Sequence, residues 1–426
     1  MTPLHPRHPP RPFVPLFQQL ARPTKKRFIL MSNRRSFNQS WSMTYSRDYP
    51  LGVGDHRGRW LNRSLYGLKQ ASRTWNGKLV STLKADRFEQ CPADACIFRR
   101  MKDGNVDMVL VVHVDDMIVV GTIQECDELC KSFNTKFPTK NLGELSCYMG
   151  CVFKRDRELG TVRSSQPAFT ESVCQRFGVN KMSPVPANPT NDLRAKEEDE
   201  PDGDGVYREA VGSLLWLANM TRPDISNAVR AVARHSHNPS AAHWKAVIKI
   251  ISYLKGTSTY GIRFSRGLGS EIEAYADSDY AKSDDRRSVS GGLVLLGGGP
   301  VSWFARTQKC VTLPTAEAEY VAISECVKEA IFVRNVLRFI QPDLSNLCIR
   351  MYEDNEGAIS LATNPLSSAR TKHIDVLHHI LRELASSKQI SIGHVASEEQ
   401  HADALTEPLA YDSFTYHSRV LLNLEE

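Results

Sequence analysis

Residues 272–325 read IEAYADSDYAKSDDRRSVSGGLVLLGGGPVSWFARTQKCVTLPTAEAEYVAISE, and their order of patterns decides the fold. Asp277 follows Ile272-Glu273-Ala274-Tyr275-Ala276, whose alternation predicts a strand. GGLVLLGGG and PVSWF are two further apolar runs separated by glycines that permit a tight turn. Pro314 and Thr315 then open a helix, with acids in its first turn. The carboxylates therefore fall at element ends, where a scaffold can aim them into one shared site.

Two later segments extend the set. Asp354 ends the apolar run Leu347–Tyr352 and precedes a predicted helix, Glu356 to Thr363. Asp403 lies in SEEQHADALTEPL, which reads as the start of a last helix. Two choices arise within the set. Asp277 and Asp279 share a strand face. Glu317 and Glu319 stand about 200° apart on a helix, so only one can face the site. Glu319 lies in register with Ile323 and Cys326 and is expected inward, while Glu317 is expected to face water and to complement the helix dipole from the first turn.

The remaining chain reads as modular. Residues 1–57 are rich in Pro and Arg and are expected to be disordered. The net charge of +6 belongs to that end: residues 1–50 hold nine Lys/Arg and one acid, which leaves the rest with a small acidic excess. From Gly58 to Ala187 come short strands and amphipathic helices, including a predicted hairpin in VDMVLVVHVDDMIVVGT with Asp115 and Asp116 at its turn. Residues 188–205, NPTNDLRAKEEDEPDGDG, form an acidic linker. Residues 206–266 read as helical, and residues 267–424 as a mixed α/β domain. The ten cysteines show neither CxxC pairs nor zinc spacing. Reduced thiols in cytoplasm or nucleus are expected, with no membrane span or signal peptide.

The words ADSDYA, RRSVSG, VSW, TAEAEYVAISE, DNEGAI, RTKHIDV and EEQHADALTEPL resemble the ribonuclease H region of copia-type long-terminal-repeat retrotransposon Pol polyproteins. SLYGLKQASRTW followed by HVDDMIVVGT resembles the reverse transcriptase of the same polyproteins, so the resemblance runs from Leu61 to Pro408. It implies an incomplete reverse transcriptase palm, a helical thumb or connection, and a ribonuclease H-like domain with a mixed sheet. It implies Asp277, Glu319, Asp354 and Asp403 as catalytic ligands of two magnesium ions, with manganese as a substitute, and an RNA–DNA hybrid as partner. Asp115 and Asp116 would be the remnant metal ligands of the polymerase.

The resemblance also places a third palm aspartate on an apolar strand well upstream of SLYGLKQ. Upstream of Leu61 the only acids are Asp48 and Asp55, both too near it. Polymerase activity is therefore expected to be lost. Arg286, Arg287, Arg306, Lys309, Arg370, Lys372 and His373 are candidates for phosphate contacts, and Leu377, Ile380, Leu381 and Leu384 for a core stripe beside the last three. The expectation of a different class is an inactive remnant that only binds nucleic acid.

Overall fold

The computed structural model describes residues 27–32, 45–47, 59–61, 70–114, 116–137, 139–190, 193–266, 269–280, 286–309, 315–344, 347–363 and 375–424. They fall into two compact units, one largely Thr24–Leu145 and the other largely Ser146–Arg338 with Pro342–Glu426. The architecture is mixed α/β throughout.

The first unit contains β1 (Arg27–Ser32), β2 (Tyr45–Arg47), β3 (Arg59–Leu61), α1 (Ala71–Ala85), β4 (Phe88–Gln90), β5 (Ile97–Lys102), β6 (Asn105–His113), β7 (Asp116–Gly121), α2 (Ile123–Lys136) and β8 (Lys140–Glu144). Its six-stranded sheet has the order β4-β5-β6-β7-β1-β8, and β2 pairs with β3 separately. Strand periodicity explains the core. Met108, Leu110 and Val112 of β6 and Met117 and Val119 of β7 share one core with Leu79 and Leu83 of α1 and Leu129 and Phe133 of α2. A capping box starts α2: Thr122 accepts from the Glu125 backbone N–H (3.3 Å) and its own N–H donates to the Glu125 carboxylate (2.9 Å). The disordered reading of residues 1–57 fails for Arg27–Ser32 and Tyr45–Arg47, and the rest of that stretch lies outside the described residues. Arg27–Ser32 is a strand paired antiparallel with β7, because RFILMS is a short apolar run that a Pro/Arg-rich average conceals.

The second unit begins with β9 (Cys147–Tyr148), β10 (Cys151–Asp156), β11 (Thr161–Ser165) and α3 (Pro167–Arg176). It continues through α4 (Tyr207–Met220), α5 (Ser226–Ala233), α6 (Ala241–Gly256) and β12 (Gly261–Ser265). The four strands form one sheet, β12-β11-β10-β9. The helices bury Leu214, Leu217, Val229, Val232, Ile250 and Leu254 in a common core.

A buried ion pair locks that core. Arg222, 1% exposed, donates through Nε and Nη2 to Asp224 (2.9 and 2.7 Å) and through Nη1 to the Thr257 carbonyl (2.9 Å). The Tyr253 hydroxyl donates to the same Asp224 carboxylate (2.7 Å).

The acidic segment before α4 is tied down. His235 Nε2 and the Leu193 carbonyl are 3.0 Å apart, and His243 Nε2 and the Arg194 carbonyl 2.9 Å. The Ser240 N–H donates to His243 Nδ1 (2.9 Å), which puts the His243 proton on Nε2 and makes it the donor to Arg194. The two imidazoles stack at 3.8 Å. Further along, the Gly203 N–H donates to the Pro239 carbonyl (2.9 Å) and the Ala241 N–H to the Pro201 carbonyl (3.0 Å).

The rest of the unit comprises β13 (Ile272–Asp279), β14 (Val289–Leu296), β15 (Gly299–Thr307), α7 (Thr315–Ile340), β16 (Ile349–Glu353), α8 (Glu356–Thr363), α9 (Asp375–Ser386), β17 (Ile390–His394) and α10 (Tyr411–Leu422). The sheet order is β15-β14-β13-β16-β17. The first three strands run antiparallel, and β13, β16 and β17 run parallel. Gly297 and Gly298 close the β14–β15 hairpin with φ of 49° and 74°, the pair of positive φ values that a two-residue hairpin turn requires. Trp303 of β15 donates its indole N–H to the Ala218 carbonyl at the end of α4 (2.9 Å). Among the described residues no helix is long and apolar enough to cross a membrane.

Candidate active site

The parallel pairing of β13 with β16 sets the site. Tyr275 stands opposite Tyr352, so two residues further along come Asp277 on β13 and Asp354 just past the end of β16, at the same end of the sheet. Between those positions Glu353 ends β16 and is fully buried. Helix α7 contributes Glu319, 7% exposed, from its second turn. Cys326 anchors the helix over the sheet, its thiol donating to the Tyr275 carbonyl (3.4 Å).

Asp403 arrives on a 3-10 turn, His401–Leu405, rather than at the start of the last α-helix. Gln400 pins this turn to β13, its Nε2 donating to the Ala276 carbonyl (2.8 Å). His401 and His417 pack behind it with Nδ1 atoms 3.1 Å apart. Just past the turn, the Thr406 hydroxyl donates to Asp277 Oδ2. Ser397 donates to Asp354 Oδ2 (2.8 Å).

Gly291 makes the close approach possible. A Cβ there would meet Thr406 Cγ2 at 2.7 Å and the Ala402 carbonyl at 2.9 Å. Gly291→Ala is therefore expected to push the Asp403 turn away from β14 and to cost about 1–3 kcal/mol, as overpacking does. A denaturant titration showing less than about 0.5 kcal/mol, the range of neutral surface changes, would contradict this.

The acids repel one another. Burial, then the charges of Asp354, Glu407 and Asp279, push Asp277 up to about 7 against the Thr406 hydrogen bond. Burial and the charges of Asp277, Glu353 and Asp354 push Glu319 up to about 10. Burial with Asp277, Asp354 and Glu407 pushes Asp403 up to about 9. Burial also lifts Glu353 well above the carboxylate range, with Asp277, Asp354 and Asp403 adding to it.

The raised values have a sign. From the ordinary carboxylate value near 4 upward, the folded chain holds more protons at these groups than the unfolded chain. Their contribution is thus most favourable below about pH 4 and is lost as pH rises towards 7 to 10. In chelator, Asp403→Asn is expected to flatten the decline of melting temperature with pH. Parallel pH curves for the two proteins would count against the coupling.

The donor set is all hard oxygen, which suits a hard divalent cation. Glu319 Oε2 and Glu353 Oε2 are buried with no hydrogen-bond partner, the condition a cation would relieve. As they stand, no three His, Cys, Asp or Glu side chains among the described residues are set to hold a metal ion.

Other expected residues fall as follows. Arg286 and Arg287 immediately precede β14 and are exposed; Lys309 follows β15 and is exposed. The pairings Asp279↔Val289 and Val289↔Thr307 put these three at the carboxylate end of the sheet. Arg306 is engaged elsewhere, 3.3 Å from Glu329 and stacked on Phe304. Arg370, Lys372 and His373 lie outside the described residues, as does Asp115.

Two expectations are corrected. Glu317 does not face water but is 4% exposed, because residues 317–324 of α7 are buried all round and the helix has no wet face there. Ile380 is 45% exposed rather than core, while Leu381 of the same stripe is buried. Glu353 was missed. Strand parity was the available signal, since Ile349, Met351 and Glu353 share one buried face.

In the first unit, Asp116 heads β7 opposite His113, and Val114 takes φ 54° in the turn between them. A β-branched residue there is strained. Trp75, from the SLYGLKQASRTW word, holds the turn by donating its indole N–H to the Val114 carbonyl (2.9 Å). On the far side of β7, Ser32 of β1 stands opposite Asp116, and β1, RFILMS, carries no acid.

These arrangements define the class: a hairpin-bearing sheet of the reverse transcriptase kind, a helical connection, and a ribonuclease H-like sheet with acids at one end. A family model described as reverse transcriptase (RNA-dependent DNA polymerase) matches residues 53–191. The Pol polyprotein of transposon TNT 1-94 from Nicotiana tabacum is 36% identical over 366 residues, 83% of this chain and 27% of that protein. The Pol polyprotein of transposon RE2 from Arabidopsis thaliana is 31% identical over 363 residues, 84% of this chain and 25% of that protein. The chain belongs to the copia-type retrotransposon Pol polyproteins, and it spans about a quarter of the length of these relatives. A foamy viral protease-reverse transcriptase solved in complex with RNA/DNA hybrid aligns over 89% of this chain and 45% of its own, at 12% identity and a TM-score of 0.49.

Proposed function

We propose that residues 267–424 hydrolyse the RNA strand of RNA–DNA hybrids by a ribonuclease H-type reaction dependent on magnesium or manganese. The observation that carries the reading is geometric: Asp277 and Asp354 follow paired residues of two adjacent parallel strands, the turn bearing Asp403 is tied to that end of β13 through Gln400 and Thr406, and Glu319 is buried on the helix over the sheet. Bound divalent ions would supply Lewis-acid activation of water and neutralise charge on the leaving oxygen. Asp277 and Asp354 would hold them from the adjacent strand ends, with Glu319 and Asp403 completing the ligands. Thr406 orients Asp277, and Ser397 orients Asp354. Arg286, Arg287 and Lys309 would meet the phosphate backbone, with Arg370, Lys372 and His373 in support. Recognition of the 2′-hydroxyls would tell the RNA strand from the DNA strand.

The test is cleavage of a hybrid labelled on each strand, with wild type and Asp277→Asn side by side. Cut RNA, intact DNA and a dead variant are expected. Failure of the folded wild type to cut at any magnesium or manganese concentration would leave the second reading, a non-catalytic nucleic-acid-binding remnant.

The polymerase-derived part, residues 58–187, is proposed to be inactive by itself. β1, the strand paired beside Asp116, carries no acid, and two adjacent acids alone lack the opposing ligand that octahedral magnesium demands. No nucleotide incorporation on a primed template is expected from the purified chain; robust extension would refute this. The acidic segment 188–205 and the helices of 206–266 would join the two parts.

A further inference from the structure

Beside the carboxylate site, within the second unit, lies a cavity of about 320 Å³ to which the proposed hydrolysis assigns no role beyond that of Thr406 on its edge. Arg230 and Arg234 from α5 and its C-terminal edge, Lys249 of α6, Asp279 and Thr406 all line it. Among its lining residues are three cations and a single acid, Asp279. Lys249 donates to Asn188 at the cavity edge.

Arg230 is the informative group. Its Nε and Nη2 both donate to Asn227 Oδ1 (3.1 and 2.8 Å), while Nη1 is buried with no acceptor. Burial and the neighbouring Arg234 push Arg230 down to about 10, with Asp279 pulling the other way. A buried N–H without an acceptor is costly, and two adjacent guanidinium groups repel. An anion in the cavity relieves both. Phosphate fits best, because forked guanidinium donors match its oxygens. The remainder of the lining is largely apolar, with Pro189, Leu193 and Ala246 offering surface to a base or sugar, and the volume is that of a small-molecule site.

We propose that this cavity binds one phosphorylated nucleotide, its phosphate on Arg230, Arg234 and Lys249 and its base against Pro189 and Leu193. Thr406 lines the cavity and also donates to Asp277, so the nucleotide lies next to the carboxylates without being held by them. The nucleotide is either free or an unpaired unit of a strand; the chemistry recognised is the same.

The experiment is calorimetric titration of the full chain in chelator with cytidine 5′-monophosphate, cytidine and inorganic phosphate. Chelator keeps metal-held phosphate out of the acid site, so the result is independent of whether the chain is a nuclease. The monophosphate is expected to bind, with cytidine and phosphate each weaker by about tenfold or more, the scale of a charge-assisted hydrogen bond. Arg234→Gln and Lys249→Gln are expected to weaken it by a similar factor; Arg234 is exposed, so its replacement leaves folding intact. Glu319→Gln is expected to leave binding unchanged. Competition by a 5′-phosphorylated oligonucleotide, lost in the same variants, identifies a strand as the source. Its absence identifies the free nucleotide, and either result upholds the site. The proposal is overturned if wild type does not bind, if both cavity variants bind normally, if cytidine or phosphate alone matches the monophosphate, or if Glu319→Gln abolishes binding.

Discussion

Glu319→Gln is expected to reduce magnesium-dependent hybrid cleavage by more than about 100-fold, the upper end for groups that only orient a metal ligand. It is expected at the same time to raise the melting temperature in chelator. The two effects share one cause. Burial and the charges of Asp277, Glu353 and Asp354 make an ionised Glu319 unfavourable in the folded chain, and a neutral amide removes that repulsion. Each ~1 kcal/mol so recovered is worth about 2–4 °C in a domain of this size. The gain should be largest at alkaline pH and vanish well below pH 4, where the carboxyl is protonated in both states. Glu317→Gln is the control, and the structure changes what it controls for. Glu317 is as buried as Glu319, so its replacement bears on stability as well, but it should keep most of the cleavage. Equal loss of cleavage in the two variants, or loss in Glu317→Gln alone, would refute the assignment of Glu319 to the site.

Arg222→Ala should produce the largest loss of stability. It leaves Asp224 buried without its cation and frees the Thr257 carbonyl as well. Breaking a buried pair from one side costs about 3–5 kcal/mol. Replacing both partners by Met and Leu should recover part of this, since no lone charge remains. A denaturant midpoint for Arg222→Ala within error of wild type would show that water reaches Asp224.

What was legible in the sequence follows local rules. The glycine pair at 297–298, the helix opening at Thr315 and the acids at the ends of β13 and β16 each obey a short-range pattern, and each element forms where expected. What was not legible depends on packing from more than one side. A helical wheel presumes one dry face, and α7 near Glu317 has no wet one. Parity along β16 would have found Glu353, but an acid at a strand end reads as solvated unless another element covers it. The turn that carries Asp403 is shaped by Gln400 reaching β13 from a distant position, which no local window contains. Arg27–Ser32 becomes a strand only because β7 is there to pair with it.

The acidic run before α4 has a mechanical consequence. By composition it is a tether, rich in Pro, Gly and like charges, the kind of stretch a protease opens. Yet Leu193 and Arg194 are clasped at one end by a stacked imidazole pair, and Pro201 and Gly203 at the other by backbone hydrogen bonds. Covalent continuity between Glu197 and Glu200 thus carries little of the connection. A chain nicked there should still migrate as one particle under native conditions and separate into two pieces only in denaturant.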